Sequence, residues 1–242
     1  MPAVSTSSKV EATKALGAKV YFSGSTAHER EAVTNDILKT LSPGIFVLPP
    51  YNDNFIILGQ GTLALELESQ VEALGSKLDA VIGPLGGGGM LSGVATALSG
   101  TGIQVFGAEP NFQGANDAQR GLAQGKLIED VNTMTIADGL RTPLGNITWS
   151  VISDKEKVKG VYSVSEDQIK AAMKLLLERM KLFVEPSACV GLAVALFDEN
   201  FRSLVEREGG QEGWDLGIVL TGGNTTIEAI LKIFGDDGHS QS

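Results

Sequence analysis

Residues 79–95 read Asp-Ala-Val-Ile-Gly-Pro-Leu-Gly-Gly-Gly-Gly-Met-Leu-Ser-Gly-Val-Ala, and no other stretch constrains the fold as strongly. An apolar strand runs into four consecutive glycines and then into a helix. Gly86, Gly87, Gly88 and Gly89 carry no Cβ, so the turn can take positive φ and aim successive backbone N–H groups at one point, beside the positive end of the helix dipole. That arrangement is an anion site suited to a phosphate. A bare strand-to-helix connection would need only one or two glycines.

The residues alone leave open which phosphate. The dinucleotide fingerprint G-x-G-x-x-G fails, since counting from Gly86 puts Leu91 at the last position and counting from Gly87 puts Ser92 there. No Walker lysine follows. Glu109, at the end of the apolar run 103–108, stands where a ribose-binding acid would sit, which keeps a nicotinamide dinucleotide in play.

Helix and strand patterns alternate along the chain. Residues 8–18 and 27–41 read as helices around a strand at 19–22, with a further strand at 44–48. Helices are expected near 61–75 and 90–98, and strands at 79–84 and 103–108. Residues 114–149 look irregular. Ser165, followed by Glu166 and Asp167, suits the start of a helix reaching 183, because the acids complement the helix dipole. Pro186 starts another helix to about 204, 216–220 reads as the last buried strand, and 225–234 as the last helix. Such alternation implies an α/β fold, a mostly parallel sheet with helices on both faces. Ligands of such sheets gather at the carboxyl ends of the strands, where the tetraglycine and Thr221-Gly222-Gly223-Asn224 would both lie.

With 242 residues, the chain can bury one large core. Its 19 basic against 29 acidic side chains leave a net charge of −10, which argues against nucleic acid and anionic membranes as partners. Cys189 is the single cysteine, so no internal disulfide forms, and its apolar neighbours suggest a packed thiol. His28 and His239 match no ligand spacing and receive no role, while Arg179 and Lys181 read as a charged helix face. No apolar run is long enough to span a bilayer and no signal peptide is recognised, so the expected location is cytoplasmic.

Five segments in order then carry a resemblance. They are Lys-Val-Glu-Ala-Thr-Lys-Ala-Leu-Gly-Ala at 9–18, Gly-Gln-Gly-Thr-Leu-Ala-Leu-Glu at 59–66, the tetraglycine through Gly107-Ala108-Glu109-Pro110, Glu-Arg-Met-Lys-Leu-Phe-Val-Glu-Pro-Ser-Ala at 178–188, and Val-Leu-Thr-Gly-Gly-Asn at 219–224. Together they resemble the serine racemase and serine/threonine dehydratase family of fold-type II pyridoxal-phosphate enzymes. The resemblance implies a tryptophan-synthase-β-like architecture, with 1–55 a remnant of the small domain and 56–242 the large cofactor-binding domain. It also implies that Gly86, Gly87, Gly88, Gly89 and Met90 hold the phosphate of pyridoxal 5'-phosphate. Gly139 would pass its backbone beside the ring, Thr221 would face the pyridine nitrogen, and Asn224 would support that turn. Tyr51 stands where the family often has Asn or Phe, and its ring could flank the cofactor.

Relatives hold a divalent cation near the cofactor. Allowing for a two-residue insertion, the resemblance assigns that site to Glu109, Ala115 and Asp117, an oxygen set suited to Mg²⁺ or Ca²⁺. A solvated acid pair is the alternative. The family's Schiff-base lysine motif and its Ser-x-Gly-Asn-His loop are absent, and Met1-Pro2 matches the Met-Pro that follows that loop. The chain is therefore expected to be N-terminally incomplete, with no catalytic residue assigned, and Lys9 is read as a surface lysine. The implied activity is a pyridoxal-phosphate-dependent serine/threonine ammonia-lyase or a serine racemase, inactive or impaired in this chain alone. A non-catalytic binding or regulatory protein of the same fold is the alternative, and a nicotinamide-dependent oxidoreductase a third. Expected partners are a small amino acid of the serine/threonine class and either further copies of this chain or a chain supplying the missing region.

Overall fold

The computed structural model describes residues 1–41 and 44–235. The chain divides into two compact units, Met1–Leu48 with the segment from Asn224 onward, and Pro49–Gly223.

The larger unit is built on a four-stranded sheet, β1 Ala80–Pro84, β2 Gln104–Pro110, β3 Gly160–Val164 and β4 Leu216–Ile218, in the order β3-β2-β1-β4. Every pairing is parallel, as the alternation of elements required. Ala80 faces Gln104 and Pro84 faces Ala108, while Ala80 also faces Leu216 and Phe106 faces Gly160. All five residues of β1 are buried, which explains its unbroken apolar character: a central strand with helices on both faces has no polar side.

The faces of the sheet separate by the two-residue period. Val81, Val105 and Val161 join a core with α3 (Asn54–Ala73), α4 (Gly89–Ala97), α5 (Asp117–Gln124) and α6 (Asn146–Ile152). Ile82 approaches Gly191 of α8 (Pro186–Phe197) from the opposite face. Phe106 and Tyr162 pack there edge-to-face against Phe201 of α9 (Glu199–Gly209), with ring centroids 5.3 and 5.2 Å away. Each fully buried side chain of this kind stabilises the fold by roughly 1.5–3 kcal/mol. α3 and α4 cross closely because Gly61 and Gly93 meet at the crossing: a Cβ on Gly61 would stand 3.1 Å from the Gly93 carbonyl.

Several boundaries differ from expectation for identifiable reasons. α3 begins at Asn54, not 61, because Asp53 caps it, its carboxylate accepting the Phe55 and Ile56 N–H groups at 2.8 and 3.3 Å. The expected helix 186–204 is two helices, since Asp198 ends α8 and caps Phe201 at 2.9 Å. α7 (Glu166–Leu175) starts at Ser165 as expected, but its continuation to Met180 widens into a π-turn and ends at Lys181 with φ +60°. The irregular region 114–149 contains α5 and the start of α6.

In the smaller unit α1 (Ser7–Ala15), α2 (Ala27–Thr40) and α10 (Ile227–Gly235) form as read. The strands expected at 19–22 and 44–48 do not. Among the described residues, only a single bridge between Pro2 and Ser23 forms in this unit, and Phe46 and Leu48 are largely exposed. β-propensity without a paired neighbour does not make a strand. No helix among the described residues is long and apolar enough to cross a membrane.

Candidate functional site

β1 ends at Pro84, and the chain then makes the turn Leu85 to Gly88 before α4 starts at Gly89. Gly88 has φ +87°, the left-handed region that glycine adopts without strain. Protein packs against all four glycines. A Cβ on Gly86 would stand 3.0 Å from Leu140 Cα and 3.2 Å from the Gly139 carbonyl, and one on Gly87 would meet the Tyr51 ring at 2.5–2.7 Å. Gly88 faces Leu144 and Thr148, and Gly89 faces the backbone of Tyr51. Close packing therefore requires every member of the run, more than a simple connection would.

The backbone N–H groups add a second demand. Among the described residues, no oxygen accepts the N–H groups of Gly86, Gly87, Gly88, Gly89, Met90 or Leu91, and the next amide, Ser92, donates to the Gly88 carbonyl at 2.9 Å. Gly86, Gly88, Gly89 and Leu91 are buried. A buried donor without a partner costs about 1–3 kcal/mol, so a run of them at a helix N-terminus fits an anion that accepts several at once. A phosphate group meets that requirement.

The predicted neighbour Gly139 is brought to this turn. Its N–H donates to Ser187 Oγ at 3.0 Å, at the start of α8, and its carbonyl faces Gly86. Thr148, which donates to the Gly87 carbonyl at 2.9 Å, holds the turn from α6. Thr221 lies just beyond β4, next to β1 in the sheet, and is exposed. The Gly222 carbonyl beside it accepts the Glu185 N–H at 3.0 Å, and a Cβ on Gly222 would lie 3.8 Å from the Glu185 carboxylate. Asn224 belongs to the other unit.

Glu109, at the end of β2, is fully buried, and its carboxylate accepts the Ala118 and Gln119 N–H groups at 3.0 and 2.9 Å, at the N-terminus of α5. Turned inward in this way, it cannot meet a ribose in the crevice, which removes the observation behind the dinucleotide reading. Asp117, 3% exposed, accepts the Leu144 N–H at 3.3 Å. Burial pushes the Glu109 carboxyl well above the usual range, with the Asp117 charge adding to it, and burial raises Asp117 to about 6. Ala115 is buried two residues before Asp117. Among the described residues, no three His, Cys, Asp or Glu side chains converge, so a cation here would rest on two carboxylates plus carbonyls or water. Leu144 joins this acid pair to the glycine turn, its N–H on Asp117 and its side chain against Gly88.

Sequence reasoning missed Glu185, Ser187 and Thr148, whose contacts with the site cross 37 to 61 residues of chain. Only the Pro186 helix start signalled that a helix N-terminus lies in this part of the chain. Cys189 is buried, its thiol pushed up to about 12 by burial and the Glu185 charge, as expected of a packed thiol.

Comparison with known proteins matches residues 1–222 to the family described as pyridoxal-phosphate dependent enzyme. Serine racemase of Arabidopsis thaliana is 39% identical over 228 residues, which cover 93% of this chain and 65% of the relative. The chain thus spans just under two thirds of that relative's length. The structure of maize serine racemase superposes with a TM-score of 0.84 at 36% identity, covering 98% of this chain and 68% of that one. The crystal structure of a threonine deaminase from T.th. gives 0.77 at 35% identity, covering 93% and 69%. The parallel sheet and its flanking helices are the fold-type II architecture of these structures.

Proposed function

Because the chain belongs to the family of pyridoxal-phosphate dependent enzymes, we propose that its tetraglycine turn holds the phosphate of pyridoxal 5'-phosphate and that the protein serves β-elimination or racemisation of amino acids of the serine/threonine class. The unaccepted N–H groups from Gly86 to Leu91 carry this reading. They would donate to the phosphate oxygens, reinforced by the α4 dipole. Gly139 would let the backbone approach the ring. Thr221 would offer the pyridine nitrogen a hydroxyl, which, unlike a carboxylate, does not hold that nitrogen protonated. When bound, the cofactor supplies an electron sink for negative charge at Cα. A hydroxyl partner weakens that sink, in keeping with elimination and racemisation over transamination. The groups that would bind the aldehyde and remove the Cα proton are not assigned in this chain.

Glu109 and Asp117, with the Ala115 carbonyl, would hold Mg²⁺ or Ca²⁺. Two buried acids with raised pKa values are the donor set a divalent cation neutralises.

Titration with pyridoxal phosphate, pyridoxal and inorganic phosphate, followed by absorbance and tryptophan fluorescence, tests the phosphate assignment. Pyridoxal should bind at least about tenfold more weakly than its phosphate, and inorganic phosphate should compete. Equal affinity for pyridoxal and its phosphate would remove the tetraglycine from the reading.

A further inference from the structure

The segment 133–141 carries Gly139 to the glycine turn, yet apart from the short 3₁₀ turn Asp138–Leu140 it has no regular structure. Its shape rests on side chains. Thr135 is fully buried, and its hydroxyl donates to Glu166 Oε1 at 2.6 Å. The Ile136 N–H donates to the other oxygen, Oε2, at 2.8 Å. Arg141 closes the loop on itself, its Nε and Nη2 donating to the Thr135 carbonyl at 3.0 and 2.7 Å. Inside that closure the Asp138 and Leu140 N–H groups donate to the Ile136 and Ala137 carbonyls at 2.9 Å.

Glu166 is the first residue of α7, where an acid normally serves only the helix dipole. Here the end of α7 is already capped by Ser165 and Gln168, whose side chains each accept an N–H from the other residue. Both oxygens of Glu166 are spent on a loop some 30 residues away in sequence. The loop is thus anchored at two helix starts, Glu166 of α7 on one side and Ser187 of α8 on the other, and α7 and α8 pack together.

We propose that Glu166 is a positioning residue, whose carboxylate clamps Thr135 and Ile136 so that Gly139 and Leu140 stand against Gly86 and complete the phosphate turn. The proposal rests on the functional reading above for its ligand, while the clamp itself is a property of the ligand-free protein.

Hydrogen exchange of the ligand-free protein, paired with pyridoxal phosphate titration, tests it in Glu166→Ala, Glu166→Gln and Asp167→Ala. Removing a charged acceptor of two bonds should speed exchange of the Ile136, Gly139 and Leu140 amides by about tenfold or more and weaken pyridoxal phosphate binding by a similar factor. Glu166→Gln keeps one acceptor oxygen and should recover part of both effects, and it serves if the alanine variant fails to fold. Asp167→Ala removes the neighbouring acid of the same turn, which is exposed; it should change neither. Wild-type exchange rates in Glu166→Ala, equal effects in Asp167→Ala, or a loosened loop with unchanged affinity would each overturn the assignment. A wild type that binds no pyridoxal phosphate, alongside a loop loosened by Glu166→Ala, would refute the function and leave the clamp standing.

Discussion

Asp117→Asn tests the acid pair most directly, because burial sets the sign of the effect and its order of magnitude. Asp117 titrates at about 6 in place of 3.8, and each unit is worth about 1.4 kcal/mol. A carboxyl whose folded pKa is raised gives up its proton first in the unfolded chain, so its contribution is intact below about pH 4 and disappears as pH rises through about 6. In cation-free buffer the wild type should therefore lose on the order of 2 kcal/mol relative to Asp117→Asn as pH rises from about 4 to about 7. Urea unfolding across that range in EDTA, with the two proteins compared at each pH, gives the difference curve. Asparagine retains an oxygen for the Leu144 N–H, so packing is conserved. Adding Mg²⁺ or Ca²⁺ at about pH 7 should stabilise the wild type, because a ligand of the native state alone shifts unfolding by mass action. Asp117→Asn should not gain, whereas Glu68→Ala on α3 should gain as the wild type does. Parallel pH curves would refute the desolvation argument, and equal gains in Asp117→Asn would refute the cation site.

Gly88→Ala would force an L-residue to φ +87° and place a methyl 2.5 Å from Leu144 Cδ2 and 2.9 Å from Thr148 Cβ. Left-handed strain of about 1–2 kcal/mol and overpacking of about 1–3 kcal/mol should lower urea stability and weaken pyridoxal phosphate binding. A loss under about 1 kcal/mol would show that the turn relaxes around the methyl. Cys189, buried and pushed up to about 12, should resist an aromatic disulfide reagent at mildly alkaline pH until the chain unfolds; rapid native-state labelling would contradict its packing.

The parts of the fold legible in the sequence are those whose residues satisfy one rule everywhere. β1 and β2 read correctly because strands covered on both faces are largely apolar: Ala80–Pro84 contains no polar residue at all, and the polar residues of β2, Gln104 and Glu109, lie toward its ends. β3, Gly-Val-Tyr-Ser-Val, lies at the sheet edge with three of its five residues only part-buried, and charged residues precede it, so its strand character comes from pairing with β2. The same dependence explains the failures at 19–22 and 44–48, where, among the described residues, residues of good β-propensity make no strand pairing beyond the single Pro2–Ser23 bridge beside the first segment.

At the site the distinction is sharper. The tetraglycine was readable because its cause is local: the backbone must turn at positive φ, admit Tyr51, Leu140 and Thr148, and still present free N–H groups. Packing alone would require the glycines and would leave the amides to be satisfied by protein. Phosphate binding alone would require the amides and would tolerate space around them. The structure packs these glycines tightly and, among the described residues, leaves their amides without an acceptor; on the proposed reading, substitution at Gly87 or Gly88 therefore cannot separate the two demands, whereas loosening the loop that faces Gly86 can. Glu166 has that leverage and no local signature, since its partners Thr135 and Ile136 lie some 30 residues away in sequence and become neighbours only in the folded chain. A carboxylate at a helix start already has a sufficient local reason to be there, and that reason hid its long-range one.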